Sequence, residues 1–173
     1  MKRSVIRDHG RSRTGSRITL RSIRATMLNH SVNDLGADEM HIAGGCHCGA
    51  IRYEVEGEAL THALCHCTDC RRHAGAPMVA WTMYPAAAVK VTQGQPKVYE
   101  SSEHGRRHFC ANCGTGLFYV NEQMLPGIID IQSGTYDDPD VVPPMIHVQV
   151  AERIQWMERA HELPVFDRYP PQQ

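Results

Sequence analysis

Gly45-Cys46-His47-Cys48-Gly49 and Cys110-Ala111-Asn112-Cys113-Gly114 are two cysteine pairs set far apart in the chain. The first pair precedes an alternating segment in which every second side chain points the same way, so both of its sulfurs can reach one ion. The second pair has the C-x-x-C spacing of a zinc knuckle, in which a following glycine relieves the tight turn. Together the pairs supply four thiolates, which is the ligand set of a closed tetrahedral zinc site.

This first site is predicted to be structural. A metal shared by Cys46, Cys48, Cys110 and Cys113 would cross-link the first strands of the domain to its last hairpins, and a small β domain needs such a link. The alternative is that these are ordinary buried apolar cysteines. That alternative does not account for the paired spacing.

Cys65-His66-Cys67-Thr68-Asp69-Cys70 forms a different pattern. Its three cysteines leave one tetrahedral position of a zinc ion open, unless His66, His73 or a distant group closes it. Three ligands and an open position are typical of a catalytic zinc, so we predict Cys65, Cys67 and Cys70 as both metal ligands and catalytic residues. A second closed site with a histidine as fourth ligand and, less favoured, a redox role for the triplet are the alternatives.

The charge of the triplet restricts its chemistry. A zinc ion held by three thiolates has a net charge near −1, which weakens its Lewis acidity and makes it a poor generator of hydroxide. Such a site suits holding a thiol that remains nucleophilic after losing its proton, with a small electrophile such as an aldehyde as second substrate. Arg71 and Arg72 follow the triplet and are predicted to bind carboxylates of an anionic ligand such as a peptide thiol.

Short alternating segments separated by Gly and Pro indicate a mainly β domain of small twisted sheets. Ile51, Tyr53 and Val55 are expected to face one side of a strand. Helical turns are predicted at 68–74, with Thr68 as a cap, and at 151–160. Further strands are predicted at 78–84, 88–91, 97–100, 106–110, 116–120, 127–132 and 146–150, with Arg106, Arg107 and His108 on the solvent face of theirs.

Charge is distributed unevenly along the chain. Residues 1–26 hold eight of the 18 Lys and Arg residues and one of the 19 Asp and Glu residues. We expect 1–39 to be a basic, disordered extension and 40–170 to be one zinc domain. The acidic body makes nucleic acid an unlikely partner, since phosphate contacts need a basic face. No apolar stretch is long enough to cross a bilayer, and clustered cysteines without a signal peptide favour a cytoplasmic location.

The cysteine motifs resemble those of a known family, the glutathione-dependent formaldehyde-activating enzymes, grouped with centromere-protein-V-like proteins. The matching stretches cover about residues 40–170. They are Gly45 to Gly49, Cys65 to Arg71, Arg107 to Thr115, Leu117-Phe118-Tyr119, Ser133-Gly134-Thr135 with Asp138-Pro139, and His147, Trp156 and Leu163-Pro164.

The resemblance implies a β-tent fold, in which small antiparallel sheets are organised around a structural zinc. It also implies two zinc ions per chain, with Cys46, Cys48, Cys110 and Cys113 structural and Cys65, Cys67 and Cys70 catalytic. The implied reaction joins glutathione and formaldehyde into S-(hydroxymethyl)glutathione, and in reverse it is a carbon–sulfur lyase reaction. The alternative is a non-enzymatic zinc-binding module with structural metal sites.

Overall fold

The computed structural model describes residues 40–171, so the predicted basic extension at 1–39 lies outside the described residues. Within the described range the chain is mainly β, with one short α-helix, Thr68–Ala74 (α1). Short 3₁₀ helices span Ala86–Ala88, Ser133–Thr135, Val150–Glu152 and Gln155–Glu162. The strands are His41–Gly45 (β1), Arg52–Glu56 (β2), Thr61–Cys65 (β3), Val79–Pro85 (β4), Val89–Gln93 (β5), Lys97–Glu100 (β6), Gly105–Phe109 (β7), Gly116–Asn121 (β8), Ile128–Gln132 (β9) and Ile146–Val148 (β10).

The strands form two sheets. The smaller sheet has the order β1-β2-β5, and the larger has the order β10-β3-β4-β9-β8-β7-β6. Neighbouring strands are antiparallel except for β10, which runs parallel to β3 at one edge of the larger sheet. The predicted mainly β class is confirmed, and the parallel edge strand makes the larger sheet mixed.

One core lies between the sheets. Tyr53 and Val55 of β2 are almost fully buried and belong to the same apolar cluster as Leu117 of β8 and Ile131 of β9. The Tyr53 ring meets Phe118 edge-on, with centroids 5.0 Å apart. The prediction that Ile51, Tyr53 and Val55 share an inward face is therefore confirmed. The polar residues between them point the other way.

Two of the strands were not predicted. The first, β1, contains two glycines, and its inward positions are Ile42 and Gly44, so it shows too little alternation to be recognised. A Cβ at Gly44 would overlap the Tyr53 ring and the Thr135 carbonyl, which explains why a glycine fills this strand position. The second, β3, ends at Cys65, and its short apolar run carries no turn signal of its own.

The helix α1 has the predicted bounds but a different cap. Cys67 is the N-cap residue, and its Sγ accepts a hydrogen bond from the Cys70 backbone N–H at 3.3 Å. Gly75 ends the helix in the left-handed conformation, with φ 64°. The predicted turns near 151–160 form as 3₁₀ helices. Between residues 40 and 171, no helix combines the length and apolar character needed to cross a membrane.

Candidate metal centres and the cavity beside them

The four predicted structural cysteines come together where the two sheets meet. Cys46 follows β1 of the smaller sheet, and Cys110 follows β7 of the larger one. The four sulfurs of Cys46, Cys48, Cys110 and Cys113 all lie within 4.8 Å of one another. Each pair sits in a tight turn closed by a glycine N–H, from Gly49 to the Cys46 carbonyl and from Gly114 to the Cys110 carbonyl, both at 2.9 Å.

The spacing of these sulfurs fits a zinc ion. Cys46 and Cys48 have their Sγ atoms 3.6 Å apart, and those of Cys48 and Cys110 are 3.8 Å apart. A tetrahedral zinc with Zn–S bonds of about 2.3 Å separates its sulfurs by about 3.8 Å. None of the seven cysteines forms a disulfide, so all seven sulfurs are available as ligands. Four soft donors at this separation are the ligand set of a closed zinc site.

Several donors point at the sulfurs of this cluster. The Ile51 N–H donates to Cys46 Sγ at 3.2 Å, and the Asn112 side-chain amide donates to Cys48 Sγ at 3.2 Å. Hydrogen bonds from the Thr115 hydroxyl and backbone lower the pKa of Cys113 to about 5. Such contacts stabilise thiolates and orient them, as groups around metal ligands commonly do.

The cysteine triplet forms a second cluster. Cys65 ends β3, Cys67 caps α1 and Cys70 lies in the first turn of that helix. Their three sulfurs also lie within 4.8 Å of one another. Strand, cap and helix thus bring the C-x-C-x-x-C residues to one point, as the spacing predicted.

The triplet cannot hold three negative charges without a cation. A hydrogen bond from Cys65, with the nearby guanidinium of Arg107, lowers the pKa of Cys70 to about 5. The same contact with Cys70 raises the pKa of Cys65 far above its usual range. A charge on one sulfur thus disfavours a charge on the next. A divalent metal ion removes this conflict, so the donor set fits zinc here too.

His66 and His73, the two candidate fourth ligands, do not belong to the triplet cluster. Within residues 40–171, the group of mutually close ligand atoms contains the three cysteines alone. His66 is buried, and its Nε2 lies 2.9 Å from Nδ1 of His147, which it stacks against. His73 lines a different depression, with Lys97 and Tyr99. A closed Cys₃His site is therefore not formed by these side chains.

A cavity of about 430 Å³ opens beside the triplet. Its floor is a cross-strand row on the larger sheet, because residues in register on adjacent antiparallel strands point to the same face. Trp81, Ala63, Ile146 and Val148 extend this floor toward Cys65. The row consists of Thr61 on β3, Met83 on β4, Asp130 on β9, Tyr119 on β8 and Arg107 on β7.

Arg107 is the arginine that reaches this cavity. It is only 6% exposed, its Cζ lies 5.0 Å from the Tyr119 ring centroid, and its Nη2 lies 3.9 Å from Cys70 Sγ. The expectation that Arg107 faces solvent was wrong, because this residue points inward to the face that carries the cavity. No sequence pattern indicates this inward position, since an arginine on a strand is usually solvated.

Arg71 and Arg72 lie outside the cavity beside the triplet. Both line a separate depression with Trp156. The Arg71 guanidinium is occupied by the carbonyls of His66 and Glu152, at 3.1 and 3.3 Å. Their predicted role in binding a substrate carboxylate stays a prediction, and the cavity at the triplet does not include them.

Asp130 is a cavity residue that the sequence did not single out. Its carboxyl is 6% exposed, and its Oδ1 has no hydrogen-bond partner among the described residues. Burial, with the nearby charge of Cys70, raises the pKa of Asp130 to about 7. An acid in the middle of a strand gives no sequence signal of its own, so only the register of β8 and β9 reveals it.

A family model and several known proteins are similar in sequence to this chain. The family model for the glutathione-dependent formaldehyde-activating enzyme matches residues 41–152. A Halomonas elongata protein named "Putative glutathione-dependent formaldehyde-activating enzyme" is 26% identical over 127 residues, which cover 69% of this chain and 81% of that protein. An uncharacterized lyase of Schizosaccharomyces pombe is 34% identical over 111 residues, covering 56% and 80% of the two chains.

A solved structure has a similar fold. The crystal structure of a Rhodobacter sphaeroides protein matches with a TM-score of 0.50 and 21% identity, covering 61% of this chain and 99% of that one. This likeness concerns the fold alone.

The fold and the two sulfur clusters define a mainly β protein with two cysteine sites suited to zinc. The family model matches residues 41–152, which is more than half of the 173-residue chain. This chain therefore belongs to the glutathione-dependent formaldehyde-activating enzyme family. The resemblance inferred from the cysteine motifs is confirmed, and the matched residues include all seven cysteines.

Proposed function

We propose that this protein is a zinc-dependent carbon–sulfur lyase that joins a small thiol such as glutathione to a small aldehyde such as formaldehyde, and cleaves the adduct in reverse. The observation that carries the proposal is the placement of the triplet. Three cysteine sulfurs converge on the wall of a cavity, and no fourth protein ligand closes the group within residues 40–171. A substrate sulfur can therefore approach from the cavity.

The two clusters are proposed to divide their work. Cys46, Cys48, Cys110 and Cys113 would hold a structural zinc that ties the two sheets together. Cys65, Cys67 and Cys70 would hold a second zinc at the cavity. When bound there, that zinc would favour ionisation of a substrate thiol while leaving its sulfur nucleophilic.

The side chains around the triplet would shape the reaction. Trp81 and Val148 pack against the cluster, and this apolar wall limits the access of water to the reacting atoms. The Arg107 guanidinium lies beside Cys70 and offsets the excess negative charge of three thiolates. Arg107 is also positioned to attract an anionic substrate into the cavity.

The thiolates must stay reduced for this chemistry. Partly exposed sulfurs such as Cys48 and Cys67 would oxidise in an oxidising compartment. We therefore place the protein in a reducing compartment, with the cytoplasm as the proposed location.

The test is a rate measurement with glutathione and formaldehyde. Exchange NMR on purified protein loaded with zinc should show faster interconversion of free and hydroxymethylated glutathione than buffer alone. Cys67→Ser should abolish the acceleration while keeping the fold by circular dichroism and about one zinc of two by elemental analysis. A wild-type rate equal to that of buffer would refute the proposed activity.

The same preparations separate the enzyme from a non-enzymatic zinc module. If the triplet zinc is open to solvent on one side, mild chelation should remove one zinc of two and abolish the acceleration, and added zinc should restore it. Two zinc ions that both resist chelation, in a protein without activity, would favour the module.

A further inference from the structure

Asp130 is the one buried acid of the cavity floor. It lies in register with Met83 of β4 on one side and Tyr119 of β8 on the other. The charged or titratable groups that face it are Cys70 from α1, Tyr119 from β8 and, one strand further, Arg107 from β7. No arginine, lysine or histidine forms an ion pair with Asp130 within the part of the chain that the structure describes.

Burial of a carboxyl without a hydrogen-bond partner lowers the free energy of unfolding. Transfer of a polar group into an apolar site without a hydrogen bond destabilises the folded protein, and the native state usually avoids it. The strand does not need an acid at this position, because three of the other four residues of β9 are isoleucines and the two neighbours, Ile129 and Ile131, pack in or against the core. An unpartnered acid that faces a cavity beside three cysteines points to a group that acts on what enters the cavity.

We propose that Asp130 is the catalytic acid–base residue of this cavity, which takes the proton of the substrate thiol and delivers it to the oxygen of the aldehyde. This inference rests on the proposed function, since it assigns a residue to that reaction.

Two other acids line the same cavity, and neither is suited to this role. Asp69 is exposed on α1. The Glu152 carboxylate accepts a hydrogen bond from the Thr68 backbone N–H at 2.8 Å, which lowers its pKa and holds it ionised. Asp130 alone combines burial, an oxygen without a partner and a place on the floor.

The proton balance of the step is complete with this one residue. The S–H bond of the thiol breaks and its proton moves to the Asp130 carboxylate. The sulfur lone pair forms the C–S bond, and the π electrons of the carbonyl move to oxygen. Asp130 then gives its proton to that oxygen, and the carboxylate is restored without any oxidant or reductant. Burial raises the pKa of Asp130 to about 7, so the group can both accept and release a proton near neutral pH.

The experiment compares Asp130→Asn, Asp130→Glu and the matched control Asp140→Asn, which makes the same change at an exposed acid. Rates of adduct formation from glutathione and formaldehyde are measured from pH 5.5 to 9, in water and in deuterium oxide, with zinc content and circular dichroism for each variant. We expect Asp130→Asn to lose about 100-fold or more in rate. It should also lose the acidic limb of the pH profile and show an altered solvent isotope effect, with both zinc ions retained.

The other possible outcomes also support or refute the role of Asp130. Asp130→Glu keeps a carboxyl and should recover part of the rate with a shifted pH profile, and it replaces the Asn variant if that variant does not fold. A folded variant with the wild-type rate and pH profile would overturn the role of Asp130 while leaving the proposed function intact. A wild-type protein without any acceleration would overturn both.

Discussion

Arg107 and Asp130 stand in one row across the larger sheet, each in register with Tyr119 of the strand between them. One end of this arrangement carries a buried cation beside Cys70, and the other carries a buried acid. The Tyr119 hydroxyl accepts a hydrogen bond from Asn121 at 3.0 Å, which fixes the ring that separates them. The cation and the acid are thereby separated by one ring on the cavity floor, and both line the cavity that a ligand would enter.

Arg107→Met should weaken metal binding at the triplet. A hydrogen bond from Cys65 and, as a smaller cause, the Arg107 guanidinium lower the pKa of Cys70. Losing the guanidinium would raise this pKa, so a proton would compete better with a metal ion for the sulfur. We expect the affinity of the more labile zinc to fall by about 10- to 100-fold. Competition with a chromophoric chelator measures this affinity directly.

Arg106→Met is the matched control for that experiment. Arg106 is the neighbour of Arg107 on β7, but it points the other way and donates to the carbonyls of Ser102 and Glu103. Its removal should leave both zinc affinities unchanged. Equal zinc affinities in the two variants would show that the charge of Arg107 does not act on the triplet.

The two clusters should differ in what their loss does to the fold. Cys110→Ala removes a ligand that is 1% exposed and lies where the two sheets join, so we expect the domain to unfold or to melt far below wild type. Cys67→Ala removes a half-buried ligand at the N-terminal end of a short helix. This variant should stay folded, with a melting temperature that falls by only a few degrees. Thermal unfolding followed by circular dichroism compares them, and equal damage would contradict the division of roles.

Much of this architecture could be predicted from the sequence because metal ligands leave a spacing signature. C-x-C and C-x-x-C turns and the C-x-C-x-x-C run identified both clusters, and Ile51, Tyr53 and Val55 identified a buried strand face. Local patterns of this kind survive in the sequence because they depend on neighbouring residues.

The cavity could not be predicted for the opposite reason. Arg107 and Asp130 meet the triplet through the register of strands far apart in sequence, and a single arginine or aspartate has no pattern of its own. β1 was missed because Gly44 replaces the apolar residue that alternation would require. The polar residues facing the triplet are thus set by sheet pairing, which local patterns do not encode.

Gly44→Ala should test the packing of β1 against β2. A Cβ at this position would overlap the Tyr53 ring and the Thr135 backbone carbonyl. The side chains of these two residues are joined by a 2.6 Å hydrogen bond between Tyr53 Oη and Thr135 Oγ1. Because backbone and a buried ring must move, we expect a loss of about 1 to 3 kcal/mol in the free energy of unfolding. Gly134→Ala is the control, since nothing lies within 4 Å of its Cβ. Urea unfolding of both variants would reveal the difference, and similar losses would argue against the close approach.

The buried state of Asp130 should appear in the pH dependence of stability. Burial, with the charge of Cys70, raises its folded-state pKa to about 7, whereas the unfolded chain titrates near 3.8. Between about pH 4 and 7 the folded protein keeps a proton that the unfolded chain has released, so this group makes the free energy of unfolding fall as pH rises. The full penalty is present above pH 7 and amounts to about 2 to 4 kcal/mol.

Asp130→Asn removes this titration and leaves the thiols in place. The difference in the free energy of unfolding between the variant and wild type should therefore grow in favour of the variant from pH 5.5 to pH 8. Urea unfolding at both pH values with excess zinc measures it, and comparing variant with wild type at each pH cancels the contribution of the cysteines. Asp140→Asn should show no such change, because its carboxylate is exposed. If the stability curves of Asp130→Asn and wild type ran parallel, the Asp130 carboxyl would titrate as an ordinary exposed acid, and its burial on the cavity floor would carry no electrostatic cost.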